Sequence, residues 1–395
     1  MDKKITSMNR KLAIIADDFP SEGRHVFVFV QQLVFAMVDQ GADITVIAPQ
    51  SLTHALFRGE KLRSRKSVEL TVNGKQFCVY RPYSMSFGVG HKWLYKIAAK
   101  FNRKNLTKCL ESVNPDIIYG HFWHSAYKAI EFALKFNLPV FVACGEGDDA
   151  LEELVKGMTI DEKEQFSKMV NGVICVSSEN KRKCLQYGLS REENTIVLPN
   201  CVDDTLFHPD DETSLREDLG INDNDFVVSF SGAFIKRKGT KILSDAIKKL
   251  SDTHIKSIFM GRLVEGDKCE PDCPGIVYKG STEHSLMPRY LNASDVFVLP
   301  TQNEGCSNAI VEALACGIPV ISSNRPFNDD ILNENNSILI DPDSVDEVAE
   351  AILQMKNNKE LYAQKKHYAI HHSREYSIVE RARKIIAFIN DKLDD

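Results

Sequence analysis

The chain has 395 residues, 43% hydrophobic and 26% charged, a globular composition that excludes wholesale disorder and favours two domains over one. Its formal net charge of −6 argues against a general nucleic-acid binder. That charge is unevenly spread: residues 1–200 carry 27 Lys/Arg against 22 Asp/Glu, a net of +5, which leaves −11 for the remainder.

Residues 1–12, MDKKITSMNRKL, lead straight into an apolar strand at 12–16, with neither a hydrophobic leader region nor a cleavage site. The helical pattern at 26–40 contains the most apolar stretch, 26–38, but Gln31 and Gln32 interrupt it. It falls well short of the roughly 20 residues that a membrane span requires. The expectation is a cytoplasmic protein that does not cross a membrane. Further buried strands are predicted at 44–47, 77–80, 117–119, 140–143 and 173–176, with helices at 92–113, 126–136 and 160–169. Strands alternating with helices imply a parallel, doubly wound α/β domain.

Between Arg58 and Lys108 stand 13 basic residues, opposed only by Glu60 and Glu69. Lys92, Lys96, Lys100 and Lys104 recur every four residues on a predicted helix, near Trp93, Tyr95 and Phe101. Cation rows beside aromatics suit an anionic membrane surface, at about 1 kcal/mol per charge near the lipid. The segment 58–108, with Arg63, Arg65 and Lys66, is therefore expected to make peripheral membrane contact; the alternative is a solvated helix. The ten cysteines are scattered, and Cys78, Cys144, Cys175 and Cys316 sit in apolar runs, which predicts reduced thiols. Cys269 and Cys273 lack the two further ligands a zinc site needs.

The pattern breaks at 198–200 and passes through an acidic stretch to 225, marked as linker by Pro199, Pro209 and the Asp203-Asp204 and Asp210-Asp211 pairs. A second alternation follows, with strands at 226–231, 257–260, 276–278, 296–299, 319–322 and 337–340 and helices at 240–250, 286–291, 308–315 and 345–356. Residues 377–393 are helical, with Ile378, Ala382, Ile385, Ile386 and Ile389 on one face. The fold class is α/β: two Rossmann-like domains facing a cleft, with ligands outside the carboxyl ends of the strands.

The most specific signal is 299–320, LPTQNEGCSNAIVEALACGIPV. A strand runs into a loop, and Glu304-Gly305-Cys306-Ser307-Asn308 opens the helix carrying Glu312. Gly305 lets the backbone approach a ligand, and the free N–H groups of the first turn can dock an anion or a polyhydroxyl. Glu304 and Glu312 stand eight residues apart, about two turns if both are helical, and carboxylates suit sugar and ribose hydroxyls. The alternative is a capped helix whose acids complement its dipole. That fits Glu304, but Glu312 amid Val311, Ala313 and Leu314 needs a partner.

A second feature is Ser231-Gly232-Ala233-Phe234-Ile235-Lys236-Arg237-Lys238-Gly239. The Lys precedes the second Gly, so this is no Walker loop. A strand end, small residues, cations and a helix start can still hold a diphosphate, and charge-assisted bonds of about 1.5–3 kcal/mol outweigh a helix dipole. A solvated basic turn is the alternative. The run 145–150, GEGDDA, fits G-x-G-x-x-A, yet Glu146, Asp148 and Asp149 would repel a pyrophosphate. These acids are expected to line the acceptor side of the cleft. His121 and His124 lack an evident third metal ligand.

Glu304-x7-Glu312 within this setting resembles the signature of the retaining GT-B glycosyltransferases of family 4. The stretch 197–209, with Pro199-Asn200-Cys201-Val202-Asp203 and Phe207-His208-Pro209, resembles their hinge motif. Phe19-Pro20…Gly23 followed by Gly41…Val46 resembles their N-terminal glycine loop, and 117–122 resembles the strand end bearing their active-site histidine. The matches run in family order from about residue 11 to 371.

The resemblance implies a catalytic set of His121, Glu304 and Lys238. Glu304 would hold donor-sugar hydroxyls beside the amides of Gly305, Cys306 and Ser307, and Glu312 the ribose. Lys238 would neutralise the leaving diphosphate, with Gly232 at the strand end, and Gly23 would let the N-terminal loop close. His121 would reach the sugar from the opposite domain. Ala233 stands where the family's G-R-x5-K-G has a phosphate-binding Arg; Arg237 is expected to supply that charge. Cys201 replaces the hinge glycine and must adopt a conformation open to other residues. The expected division is an acceptor domain 1–200, a donor domain 201–372, and a C-terminal helix at about 373–395 packing back onto the first.

The expected activity is transfer of a sugar from a nucleotide-sugar donor to a glycan or lipid-linked acceptor in bacterial surface-polysaccharide synthesis, at the inner face of the membrane. No cofactor and no metal is expected, since Lys238, Arg237 and helix dipoles can replace one. The competing readings are a nucleotide-sugar epimerase, an inactive binding protein and, more distantly, a nicotinamide oxidoreductase.

Overall fold

Alternating strands and helices build two sheets, described here from a computed structural model over residues 10–21, 26–87, 92–146 and 148–394. Gly23 lies outside the described residues. One compact unit comprises Met1–Val176, Asn180–Leu198 and Arg381–Asp395, and the other Ser177–Glu179 and Pro199–Glu380.

In the first unit the strands are β1 (Leu12–Ile15), β2 (Ile44–Ile47), β3 (Gln50–Ser51), β4 (Lys66–Leu70), β5 (Gln76–Tyr80), β6 (Tyr83–Ser84), β7 (Ile117–His121), β8 (Val140–Cys144), β9 (Val170–Cys175) and β10 (Thr195–Val197). Eight of them form one sheet in the order β10-β9-β8-β7-β1-β2-β5-β4, while β3 pairs with β6. Every residue of β1, β2, β7 and β8 is buried, as helices on both faces require. The edge is the exception: β4 runs antiparallel to β5 and alternates exposed with half-buried residues. Because the order places β1 between β2 and β7, the switch point of this sheet lies at the carboxyl ends of β1 and β7.

The second unit holds β11 (Phe226–Ser231), β12 (Ile255–Met260), β13 (Ile276–Gly280), β14 (Val296–Leu299), β15 (Val320–Ser323) and β16 (Ser337–Ile340). They form a parallel sheet ordered β13-β12-β11-β14-β15-β16, with its switch point between β11 and β14.

Five helices went unread in the sequence: Leu52–Arg58, Asp148–Lys156, Ser178–Gln186, Thr213–Asp218 and Lys359–His372. The supposed linker is thus partly structured, with Leu215 of Thr213–Asp218 buried. The last helix, Ile378–Asp394, buries Ala382, Ile385 and Ile389. Its Phe388 ring meets Phe141 of β8 edge-on at 6.3 Å. Burial of each isoleucine is worth about 1.5–3 kcal/mol, which fixes this helix to the first unit's sheet. Among the described residues no helix is long and apolar enough to cross a membrane.

Candidate active site

At the switch point of the second unit, two loops meet. Gly239 sits at φ 72°, and a Cβ there would stand 2.1 Å from the Pro300 carbonyl oxygen, so only glycine allows the approach. Gln302 N–H donates to the Arg237 carbonyl at 2.9 Å, and Thr301 Oγ1 lies 3.2 Å from the same oxygen. This stitching brings the side chains together. Lys238 Nζ lies 2.5 Å from Glu304 Oε1, Arg237 Nη1 lies 3.1 Å from it, and Thr301 Oγ1 donates to it at 2.9 Å. Arg237 also donates to the Asn303 carbonyl. Glu304 and Lys238 are 13% and 16% exposed, whereas Arg237 is 46% exposed. The Lys238 contact is therefore the stronger, since solvent screens the Arg237 pair. Two cations on one carboxylate leave a net positive cluster.

The helix after this loop begins only at Asn308. Glu304 precedes it, so the eight residues separating it from Glu312 are not two helical turns, a correction to the spacing argument. Gly305 lies in the same loop, and Cys306 and Ser307 are buried. The Cys306 carbonyl accepts from Asn200 Nδ2 at 3.1 Å, and Asn200 also donates to Asn308 Oδ1 at 2.8 Å, which accounts for the asparagine at 200. Cys201 is absent from the residues at positive φ, so its backbone is open to non-glycine residues. Gly232 follows β11 at φ 149°. Ser307 Oγ and Thr240 Oγ1 are buried without a hydrogen-bond partner. Ser307 caps the helix Asn308–Ala315 and Thr240 opens Thr240–Leu250, so free N–H groups and unmet hydroxyls share both helix starts.

Glu312 is 7% exposed and receives the partner its apolar setting demands: His284 Nε2 at 3.2 Å. Burial lowers the His284 pKa, but the hydrogen bond and charge of Glu312 outweigh it and raise the group overall. The Phe207 ring packs edge-on against His284 at 5.1 Å, and Asp203 adds its charge. Asp203 and Phe207 thus brace this pair. Sequence reading missed His284; the buried carboxylate was the signal that something must meet it.

In the first unit, His121 ends β7 at the switch point. It is 6% exposed, and its Nδ1 is buried without a partner. Burial, followed by the charge of Arg381 and opposed by Asp17, pushes its pKa down to about 3. The imidazole is therefore neutral at physiological pH, with one donor and one acceptor for a hydroxyl. Gly120 admits the next helix closely, since a Cβ there would meet Ala126 Cβ at 2.4 Å. Phe122 follows at φ 81° and ψ 151°.

The GEGDDA run leads into the helix Asp148–Lys156. Glu146 accepts from Trp123 N–H at 2.5 Å and Gly145 N–H at 3.0 Å, so its carboxylate is engaged by backbone rather than held ready for a ligand. No disulfide joins any of the ten cysteines. The buried sulfurs of Cys144, Cys175 and Cys184 lie within 4.8 Å of one another and pack as small apolar side chains.

The basic segment divides. Arg63 pairs with Asp18 at 3.0 Å, and Arg81 is buried beside Glu69 at 3.5 Å, so neither is a free surface cation. Arg65 stacks over Tyr83 and Lys66 over Tyr80, both at 5.1 Å. On the helix Lys92–Val113, Trp93, Tyr95 and Ile97 are more than half exposed, and Lys96, Lys100 and Lys104 are exposed with them.

Residues 26–206 match the family described as "Glycosyltransferase Family 4", and residues 211–372 match "Glycosyl transferases group 1". The chain is 28% identical over 356 residues to the putative teichuronic acid biosynthesis glycosyltransferase TuaC of Bacillus subtilis, covering 86% of each. It is also 28% identical to an Escherichia coli UDP-Gal:alpha-D-GlcNAc-diphosphoundecaprenol alpha-1,3-galactosyltransferase, over 55% of this chain and 60% of that protein. Among solved structures, sucrose-phosphate synthase from Thermosynechococcus elongatus superposes with a TM-score of 0.75 at 15% identity, covering 97% of this chain and 99% of the other. Anabaena HepE, solved with UDP-glucose, gives 0.71 at 17% identity over 97% and 100%.

Proposed function

This chain is a glycosyltransferase of the GT-B fold, and on that premise we propose that it moves a sugar, with retention at the anomeric carbon, from a nucleotide-diphosphate sugar to a glycan or lipid-linked acceptor in bacterial surface-polysaccharide synthesis. The observation that carries the reading is the Lys238–Arg237–Glu304 cluster at the switch point of the second unit. Lys238 and Arg237 stabilise the departing diphosphate, helped by the helix start at Asn308, and so take the place a divalent metal would fill. Glu304 then holds sugar hydroxyls, with Gly305, Cys306 and Ser307 beside it, and Glu312 holds the ribose. Gly232 leaves room for the phosphates, and neutral His121 hydrogen-bonds the sugar. Catalysis is electrostatic: charge that develops on the leaving group meets cations already in place.

The exposed Trp93, Tyr95 and Ile97 beside Lys96, Lys100 and Lys104 support docking on an anionic membrane from the cytoplasmic side, close to a lipid-linked acceptor. A thermal-shift panel of UDP-, GDP-, ADP- and CMP-sugars tests the donor reading, because a ligand stabilises the fold only if the folded chain binds it. One nucleotide class should raise the midpoint, and Glu312→Gln should abolish that rise. A flat panel would overturn the proposal.

A further inference from the structure

The peptide linking His121 to its helix is held in a conformation that ordinarily requires glycine. Phe122 has φ 81° and ψ 151°, a region essentially reserved for glycine and maintained only where the surroundings enforce it. Three contacts enforce it here. Phe122 N–H donates to the Ala143 carbonyl at 2.9 Å, and its carbonyl accepts from Ala126 N–H at 3.2 Å. The third is Glu146, whose Oε1 receives Trp123 N–H at 2.5 Å while Oε2 receives Gly145 N–H at 3.0 Å. Asn180 Nδ2 in turn donates to the Glu146 carbonyl at 2.9 Å. One carboxylate thus ties together the loops after β7 and β8, and Asn180 of the helix Ser178–Gln186 holds the backbone of the same residue. The His121 ring lies against the Phe122 ring at 4.9 Å, so the strained residue sets where the imidazole points.

We infer that Glu146 is the positioning residue for His121, and that its two-oxygen grip on Trp123 and Gly145 must be complete for the imidazole to be aimed. This rests on the role proposed above for His121. An ionised carboxylate accepts on both oxygens, whereas a protonated one, or an amide, offers one good acceptor and turns a donor toward the other N–H. Burial pushes the Glu146 carboxyl up to about 7, opposed by the backbone N–H groups of Trp123 and Gly145 and reinforced by Cys184. Cys144 and Cys175 also feel its charge. The grip therefore loosens on mild acidification.

The test is Glu146→Gln in the full chain, with histidine labelled with nitrogen-15 and the His121 signals assigned by their loss in His121→Gln. The variant should shift the His121 signals and lower kcat by roughly ten- to a hundredfold, with donor KM changed by less than about twofold. Rates are read with the sugar nucleotide that gives the largest thermal shift. Wild-type kcat should fall from about pH 8 to about pH 6, and the variant should stay flat near the acid limb of the wild type. Unmoved His121 signals, or wild-type kcat in the variant, would overturn the inference. Full activity in His121→Gln would sink the role of His121 itself, a separate failure. Should Glu146→Gln not fold, titration of wild type decides: His121 signals must move in one step over the same pH range, and constant signals refute the inference.

Discussion

Lys238 Nζ and Glu304 Oε1 stand 2.5 Å apart, and Arg237 reaches the same oxygen from 3.1 Å. Before any phosphate arrives, this carboxylate is the group that both cations share, with the Asn303 carbonyl also accepting from Arg237. Glu304→Ala should lower transfer by about two to three orders of magnitude, the loss expected when a polar group at the reacting centre is removed. Binding of the bare nucleoside diphosphate should not weaken, because both cations are then free to meet it. Circular dichroism should report an unchanged fold; near-normal turnover would refute the assignment.

Under the proposed function, Arg237 supplies the charge that Ala233 does not carry. Arg237→Ala should weaken donor binding by roughly tenfold or more, the value of one charge-assisted hydrogen bond. Ala233→Arg should not weaken it, and adding Ala233→Arg to Arg237→Ala should recover most of the loss. If the double variant binds as poorly as the single one, the two positions are not equivalent.

If Lys238 and Arg237 supply the positive charge as proposed, the transfer rate in chelator should match the rate in added magnesium. A rate that collapses in chelator and returns with magnesium would show that the diphosphate needs a metal besides these side chains.

His284 is the counter-charge of a buried carboxylate, so His284→Ala leaves Glu312 unpaired. Nucleotide affinity should fall by about 1 kcal/mol, roughly fivefold. The contribution of His284 is complete while the group is protonated, and its pKa is raised above the usual histidine value. Wild-type affinity should therefore decline as pH rises through that point, while the variant shows no such decline. Isothermal titration over this range settles it; equal affinity at every pH would dismiss the pairing.

Strands buried on both faces, such as β1, β7 and β8, print themselves on the sequence as unbroken apolar runs, and the two alternations with their motifs were legible for that reason. The edge strand β4 was not: its alternation of Lys66, Val68 and Leu70 with half-buried neighbours lacks an apolar run. Thr213–Asp218 is too short to establish a helical period. In the candidate site, Lys238, Arg237 and Glu304 were visible as residue types, but their meeting depends on Gly239 closing against Pro300, 61 positions along the chain. Glu146 read as a ligand-binding acid because nothing local announces a bond to the backbone of Trp123, 23 residues away.

His121 and Glu146 titrate in opposite senses, which gives a prediction independent of the reaction. His121 moves from 6.5 when unfolded to about 3 in the fold, and Glu146 from 4.5 to about 7. Between pH 4.5 and 6.5 the unfolded chain binds more protons at His121, so that residue makes stability rise with pH. Over the same interval the native chain binds more protons at Glu146, so stability falls with pH. Each limb is worth up to about 1.4 kcal/mol per pH unit, and in the wild type the two largely cancel. His121→Gln should therefore unmask a stability that declines with rising pH, and Glu146→Gln one that climbs. Urea unfolding midpoints at the two ends of the interval measure both slopes. If wild type and both variants run parallel, burial does not hold these two groups in the states described.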